Sequence, residues 1–461
     1  MDLNAEFQAL KKSHAAEPYP TIKQRLEKLK QMTRLLKENE SELIQAISED
    51  FSYRSPFETE LAEIYPSLKS ISHTKKKLGN WMSPENRGVS IWFQPAKASI
   101  MYQPKGVVGV IVPWNYPLYL ALGPLIGAIA AGNRVMLKMS EFTPAFSHRF
   151  AELCHQYLGK DWVRVVNGGP EVGEAFSKVP FDHLLFTGSG RIGRDVMKAA
   201  SENLTPVTLE LGGKSPTIID PSFPLKVAVE RLLFGKLLNA GQTCLAPDYV
   251  FVHRDQLDEF MSLLKSKAKS FYPNWKEEAY TALSSQKQFE RYNELLNDAI
   301  EKGADIVPLL DDIEPQGRKV PPVMVLNTSD EMLVRQEEIF GPMLPVIGYD
   351  DHSQVIDYIN NQPRPLALYL FSHDKKVTSD YMLQTMSGGV TLNDTIFHVS
   401  QEELPFGGIG ASGMGHYHGE EGFKTFSKAK SIFKQSRFAG TKLMYPPQSK
   451  VAKFLLGLMK R

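Results

Sequence analysis

From Gly106 onward, short β-branched runs alternate with helical stretches, and no other feature restricts the architecture of this chain as strongly. Val107 to Val112, Arg134 to Lys138, Val163 to Asn167, His183 to Thr187 and Val207 to Leu211 read as strands with helices between them. Such alternation means βαβ units and a parallel sheet covered by helices. A second series begins near Pro216, with a strand from Thr217 to Ile219, a helix from Leu225 to about Leu238, a strand from Tyr249 to His253 and a helix after Asp255. A chain of 461 residues exceeds what one core can hold, so the economical picture is two α/β lobes with a cleft between them.

The flanks read differently. Ile22, Leu26, Leu29, Met32, Leu35 and Leu36 recur at steps of three and four, which predicts an amphipathic helix over 21–37, and a second helix follows from Ser41. Arg87 to Tyr102 alternates around Val89, Ile91, Phe93 and Ile100 and contains Pro95, so a hairpin or edge strand is expected, placed to serve as an assembly arm. Asp311 to Pro322 is a polar loop. At the end of the chain, Phe454 to Met459 is an apolar stretch between basic residues. Such a tail can touch a membrane surface but is too short to span one, and packing against the body is expected.

Lysine plus arginine (53) nearly cancels aspartate plus glutamate (52), so no long-range field gathers nucleic acid or acidic lipid, and a small-molecule partner is expected. The N-terminus has neither a basic start nor an apolar run, and the apolar stretch Leu118 to Gly132 is interrupted by Pro124. A cytoplasmic protein without a spanning segment is the expectation. Cys154 and Cys244 stand far apart with no metal-ligand spacing, so neither a disulfide nor a metal site is indicated. Cys154 sits in a helical pattern as a small hydrophobe. Cys244, in Gly241-Gln242-Thr243-Cys244, follows a helix among small and polar residues that can leave it open to a cleft.

Gly188-Ser189-Gly190-Arg191-Ile192-Gly193 follows a predicted strand and precedes a helix, the context in which such a loop cradles a pyrophosphate. By the same rule an acid some 20 positions on holds the ribose, which would nominate Glu210. A second match, Gly408 to Gly413, lacks both the strand before and the helix after, so the motif alone is weak.

More telling are Pro113-Trp114-Asn115-Tyr116-Pro117, Lys138-Met139-Ser140-Glu141, Phe186-Thr187-Gly188-Ser189, Leu209-Glu210-Leu211-Gly212-Gly213-Lys214, Gly241-Gln242-Thr243-Cys244, Glu337-Glu338-Ile339-Phe340-Gly341-Pro342 and Pro405-Phe406-Gly407-Gly408. In this order, over nearly the whole chain, they resemble the aldehyde dehydrogenase superfamily. Pro365 to Ser372, Thr391 to Thr395 and Tyr445-Pro446-Pro447 look like its class 3 branch, and Leu232 to Tyr249 and Tyr116 to Val135 look most like the branch's bacterial coniferyl aldehyde dehydrogenases.

The resemblance implies an α/β fold with a Rossmann-like cofactor domain over 1–86 and 103–211 and a catalytic α/β domain over 212–404. A small β oligomerisation arm is implied over 87–102 and 405–440, with a C-terminal tail over 441–461. It implies oxidation of an aldehyde to the acid, because hydride leaves readily only from a tetrahedral adduct and a thiolate can form one. Cys244 is then the nucleophile, and the Asn115 side-chain amide with the Cys244 backbone N–H receives the oxyanion. Glu210 activates the hydrolytic water, which moves the ribose acid upstream to Glu141. Trp114 and Lys138 are assigned to the adenosine side, Ser189 between Gly188 and Gly193 to the pyrophosphate, and Glu338 and Phe340 to the nicotinamide end, with Glu338 an alternative base. Met139 stands where the family usually has proline or a small residue. Since Glu141 would repel a 2′-phosphate, NAD is expected to be preferred and NADP tolerated. An aromatic, coniferyl-type aldehyde is the expected substrate, with medium or long aliphatic aldehydes second, and a homodimer is the expected assembly. Transfer of the acyl group to coenzyme A is the competing chemistry; family members that do this usually lack the base glutamate. A structural, crystallin-like role is the non-enzymatic alternative, at odds with an intact set of catalytic residues.

Overall fold

The computed structural model describes residues 2–460, and three β-sheets organise them. The strands read from the sequence form at their expected places, with ends within a residue: Val107–Ile111, Arg134–Lys138, Val163–Val166, His183–Gly188 and Val207–Leu211. All five are parallel, and Gly413–Met414 adds a short antiparallel edge against Leu209 and Glu210. The chain enters the sheet at Val107–Ile111, proceeds outward through Arg134–Lys138 to Val163–Val166, then returns to lay His183–Gly188 on the other side. The order thus reverses between Val107–Ile111 and His183–Gly188, and the crevice outside the carboxyl ends of two such strands is where open α/β sheets bind ligands. The loops carrying Trp114-Asn115 and Gly188-Ser189 leave those two ends.

A seven-stranded sheet follows, in spatial order Asp305–Pro308, Val323–Leu326, Met343–Tyr349, Tyr249–His253, Pro216–Ile219, Ala367–Phe371 and Gly389–Leu392, parallel but for the first strand. Helices Leu225–Leu237 and Leu257–Phe271 pack on it through Leu232, Leu233, Phe260 and Leu264. Helix Tyr119–Ala131 is apolar on every side and buried at every position after Tyr119, because it lies between the first sheet and the N-terminal helices. The amphipathic helix Ile22–Glu38 packs nearby, opened by a reciprocal Thr21–Gln24 cap.

The arm departs from expectation in detail. Glu85–Arg87 pairs antiparallel with Lys97–Pro104, so the hairpin extends beyond 87–102 at both ends. Val89 and Ile91, expected in a strand, lie in its connection, where Ile91–Phe93 forms a 3₁₀ turn. The alternation there reflects exposed apolar side chains rather than a pleated face. Ser427–Lys434 completes the three-stranded sheet as an outer strand on Lys97–Pro104. The tail corrects a second expectation: helix Lys450–Met459 buries only Ala452, and Val451, Phe454, Leu456 and Leu458 stay exposed. It touches Gly440–Met444, which rests on Ile91–Phe93, so the tail extends the arm instead of packing on the body. No helix among the described residues is long and apolar enough to cross a membrane.

Candidate active site

Two loops meet, one after strand Val107–Ile111 and one after helix Leu225–Leu237. In the first, Asn115 is buried and its side-chain amide donates to the Gln242 carbonyl at 3.2 Å. A second amide proton remains available to a ligand. Next to it, the Tyr116 hydroxyl lies 2.6 Å from Thr243 Oγ1. The second loop, leading to Cys244, has Asn239, Ala240 and Gly241 at φ of 54°, 51° and 75°. Three successive left-handed residues are costly, and such strain persists only where surroundings fix it. Here Asn239 donates from its amide side chain to the carbonyls of Asn115 (3.0 Å) and Gln242 (3.2 Å), while Gln242 donates to Asn239 and Ala282 carbonyls, both at 3.0 Å. Half-buried Cys244 is thereby held against the Asn115 loop.

Glu210 is the penultimate residue of the strand Val207–Leu211, between Thr187 on one neighbour and Gly413 on the other. Its side chain is buried and neither carboxylate oxygen has a hydrogen-bond partner among the described residues, so desolvation raises its pKa well above the ordinary glutamate value. Glu338 is raised to about 8, first by burial and then by the charge of Asp248. Burial, followed by the charges of Glu338 and Glu210, pushes the Cys244 thiol up to about 12. All three groups are poorly solvated, and the charges of both carboxylates bear on the thiol. Cys154, in contrast, is fully enclosed in helix Pro144–Leu158 with its thiol raised by burial alone.

The loop bearing Glu338 is fixed from below. The Lys214 ammonium bonds the Asp248 carboxylate and the carbonyls of Val334 and Glu337, the last two at 2.8 Å, while Asp248 accepts from the Ile339 N–H at 2.9 Å. Phe340, at φ 54°, sets its ring 5.3 Å from Trp114, edge to face. That contact places Trp114 beside Phe340. Lys138 ends the buried strand Arg134–Lys138, with its ammonium on the Met139 carbonyl at 2.7 Å and 3.9 Å from the Glu141 carboxylate. Glu141 borders an open cavity of about 560 Å³ with Asp50, His148, Ser285 and Arg318. Ser189 precedes helix Gly190–Ser201 without capping it by its side chain, and a Cβ on Gly193 would come within 2.8 Å of Leu211, so glycine lets that helix approach its sheet. Uncapped N–H groups at a helix start and an orphaned Glu338 oxygen suit the pyrophosphate and a ribose of a dinucleotide. Among the described residues, no group of three or more His, Cys, Asp or Glu is placed to hold a metal ion.

Some contributors escaped the sequence reading. Glu58, Glu63 and Arg54 come from the irregular stretch between Phe51 and Trp81, where a short helix Pro56–Thr59 runs through a π-helical turn Glu60–Ile64 into helix Tyr65–Trp81. A π turn breaks the 3.6-residue period that would otherwise have signalled which face is buried. Tyr369 donates to the carbonyl of Leu245, the residue after Cys244, at 2.5 Å, and two further aromatic pairs stack, Phe234 on Phe397 at 5.9 Å and Phe406 on His418 at 4.9 Å.

Comparison with known proteins agrees with this geometry. The model of the aldehyde dehydrogenase family matches residues 3–432. A protein of Pseudomonas aeruginosa named as a probable coniferyl aldehyde dehydrogenase is 53% identical over 97% of this chain and 94% of its own length. The substrate-bound structure of Staphylococcus aureus AldH superposes with a TM-score of 0.94 at 36% identity, covering all of both chains. The Mycobacterium tuberculosis aldehyde dehydrogenase solved with NAD⁺ gives 0.83 at 28% identity, over 92% of this chain and 88% of that one. The chain belongs to the aldehyde dehydrogenase family and is an enzyme of NAD(P)-dependent aldehyde oxidation.

Proposed function

We propose that this enzyme oxidises an aromatic aldehyde of the coniferyl type to its carboxylic acid, through a thiohemiacetal and then a thioester on Cys244, with NAD preferred over NADP. The observation that carries this reading is the buried Glu210 carboxylate, neither oxygen of which has a hydrogen-bond partner among the described residues, together with a Cys244 held against the Asn115 loop by Asn239 and Gln242. Having lost its proton to solvent, the sulfur adds as thiolate to the carbonyl carbon, and the new oxyanion accepts hydrogen bonds from the free amide N–H of Asn115 and the Cys244 backbone N–H. A bound NAD(P) would supply the hydride acceptor for the thiohemiacetal carbon, held there by Glu338 and Phe340. Glu210 then withdraws a proton from water as it attacks the thioester, the C–S bond breaks, and acid and free thiol result. A carboxyl of raised pKa is a stronger base than an exposed one, which suits that step.

The name of the Pseudomonas aeruginosa relative supports an aromatic substrate of this type. Rates with coniferyl aldehyde, benzaldehyde, hexanal and decanal test it; a kcat/KM led by decanal would assign the enzyme to aliphatic substrates. Acid formed at full rate without coenzyme A separates hydrolysis from acyl transfer. Glu141 supports NAD, and a kcat/KM more than tenfold in favour of NADP would refute that preference. We place the cofactor mainly on the first lobe and the chemistry between the lobes, and assign the Glu85–Pro104 hairpin with Ser427–Lys434 to a homodimer interface.

A further inference from the structure

We infer that Arg54 is the positioning residue of the oxyanion site, holding Asn115 by its backbone while Glu63 holds the rest of the same loop. This rests on the role proposed above for Asn115. The Arg54 guanidinium and the Glu63 carboxylate are fully buried and paired at 2.6 Å. The same Arg54 nitrogen donates to the Asn115 carbonyl at 3.1 Å, and the guanidinium lies over the Tyr116 ring, 4.7 Å from its centre, and over Phe51 at 5.2 Å. The other Glu63 oxygen accepts the N–H groups of Leu118 at 2.7 Å and Tyr119 at 3.0 Å, where helix Tyr119–Ala131 begins. One ion pair therefore fixes the loop at Asn115, Tyr116, Leu118 and Tyr119. Tyr116 carries the constraint to Thr243, next to Cys244. On the far side, buried Glu58 accepts the Asn239 N–H at 3.1 Å, and Asn239 donates to the same Asn115 carbonyl.

The chemistry of the pair argues for positioning over stability. Two buried charges gain little or nothing over a well-packed apolar pair, while two nitrogens of Arg54, Nε and Nη2, have no hydrogen-bond partner among the described residues. What an apolar pair could not supply is a donor to the Asn115 carbonyl and an acceptor for two N–H groups at once. With its peptide plane fixed from both sides, Asn115 has its side chain aimed before an aldehyde arrives, and donors so preorganised cost no rearrangement when the oxyanion forms.

The single-turnover rate of NADH formation, with enzyme in excess over aldehyde, reads this directly. Arg54→Lys keeps the charge beside Glu63, but its nitrogen falls one bond short of Arg54 Nη1 and it lacks the planar guanidinium that lies over the Tyr116 and Phe51 rings. Its rate should fall at least tenfold with NAD⁺ affinity unchanged. Arg54→Met combined with Glu63→Gln removes both charges and keeps an acceptor for Leu118 and Tyr119; its thermal midpoint should return toward wild type while its rate stays low. In an Asn115→Ala background, Arg54→Lys should cost little more. A wild-type rate in Arg54→Lys, recovery of rate along with stability in the double variant, or losses that multiply with Asn115→Ala would each overturn the inference. An Asn115→Ala enzyme as fast as wild type would remove the oxyanion role itself, and the inference with it.

Discussion

The motif rule drew Glu210 to the ribose, while the resemblance to the family assigned it to the hydrolytic water. Its burial beside Cys244, with both oxygens unpaired, gives it a different consequence. Glu210→Gln should release one rapid equivalent of NADH and then stall as acyl-enzyme accumulates, which rapid mixing and mass spectrometry of the intact protein would show. Loss of the burst as well would mean that Glu210 also takes the thiol proton. The same carboxyl sets a pH dependence of stability. Its folded pKa lies above the unfolded one, so the folded state binds the proton more tightly. Native stability is then full below the ordinary glutamate range and declines as pH rises from there toward the folded pKa. The thermal midpoint of Glu210→Gln should therefore exceed that of wild type increasingly from pH 5 to 8, and a gap that narrows over that range would contradict the burial seen here. Cys244→Ala should abolish oxidation and retain NAD⁺ binding by calorimetry, since no cofactor-side residue depends on the sulfur.

Among the elements, the central strands and their helices were legible because a strand buried on both faces leaves a short β-branched run and a helix with one apolar stripe leaves a 3.6-residue period. The segments that aim the site left none. Asn239 and Ala240 are ordinary residues forced left-handed by partners more than a hundred positions away, and Glu63 sits in a π turn that scrambles the helical repeat. The turn Gly212-Gly213 was legible as a turn, but its purpose was not. A Cβ on Gly212 would lie 2.0 Å from a Glu338 oxygen and 2.6 Å from its carboxyl carbon, so the glycine makes room for that side chain. Gly212 is not among the residues of positive φ, and alanine would not strain the backbone. Gly212→Ala should leave the thermal midpoint within a few degrees yet slow hydride transfer by roughly 10- to 100-fold, as displacement of a positioning side chain by about 1 Å does. Unchanged single-turnover kinetics would mean that Glu338 has no part before the thioester.

For the whole molecule, the sequence suggested the arm but not how much of it would lack a neighbour within one chain. Ser427–Lys434 is an outer strand, paired only on its Lys97–Pro104 side, and an open strand edge is a template for another chain. Around it stand Ile91 at 75% exposed, Phe433 at 55%, Phe438 at 87% and Phe454 at 66%, all on the arm and the tail that extends it. A surface of this kind, concentrated on one projecting element, is one that soluble monomers seldom carry. Scattered exposed apolar residues elsewhere on the body would need no such explanation. The expected state is a dimer closed by the arm, with a light-scattering mass of about twice the 51.8 kDa chain. Phe438→Asp together with Leu443→Asp should weaken it at least tenfold, because two carboxylates would have to be desolvated at the contact. Both side chains point away from the chain's own core, so the monomers released should keep the wild-type far-ultraviolet spectrum and bind NAD⁺. A wild-type enzyme that stays monomeric at micromolar concentration would leave these side chains to some other partner, and a double variant that stays dimeric would move the interface off the arm.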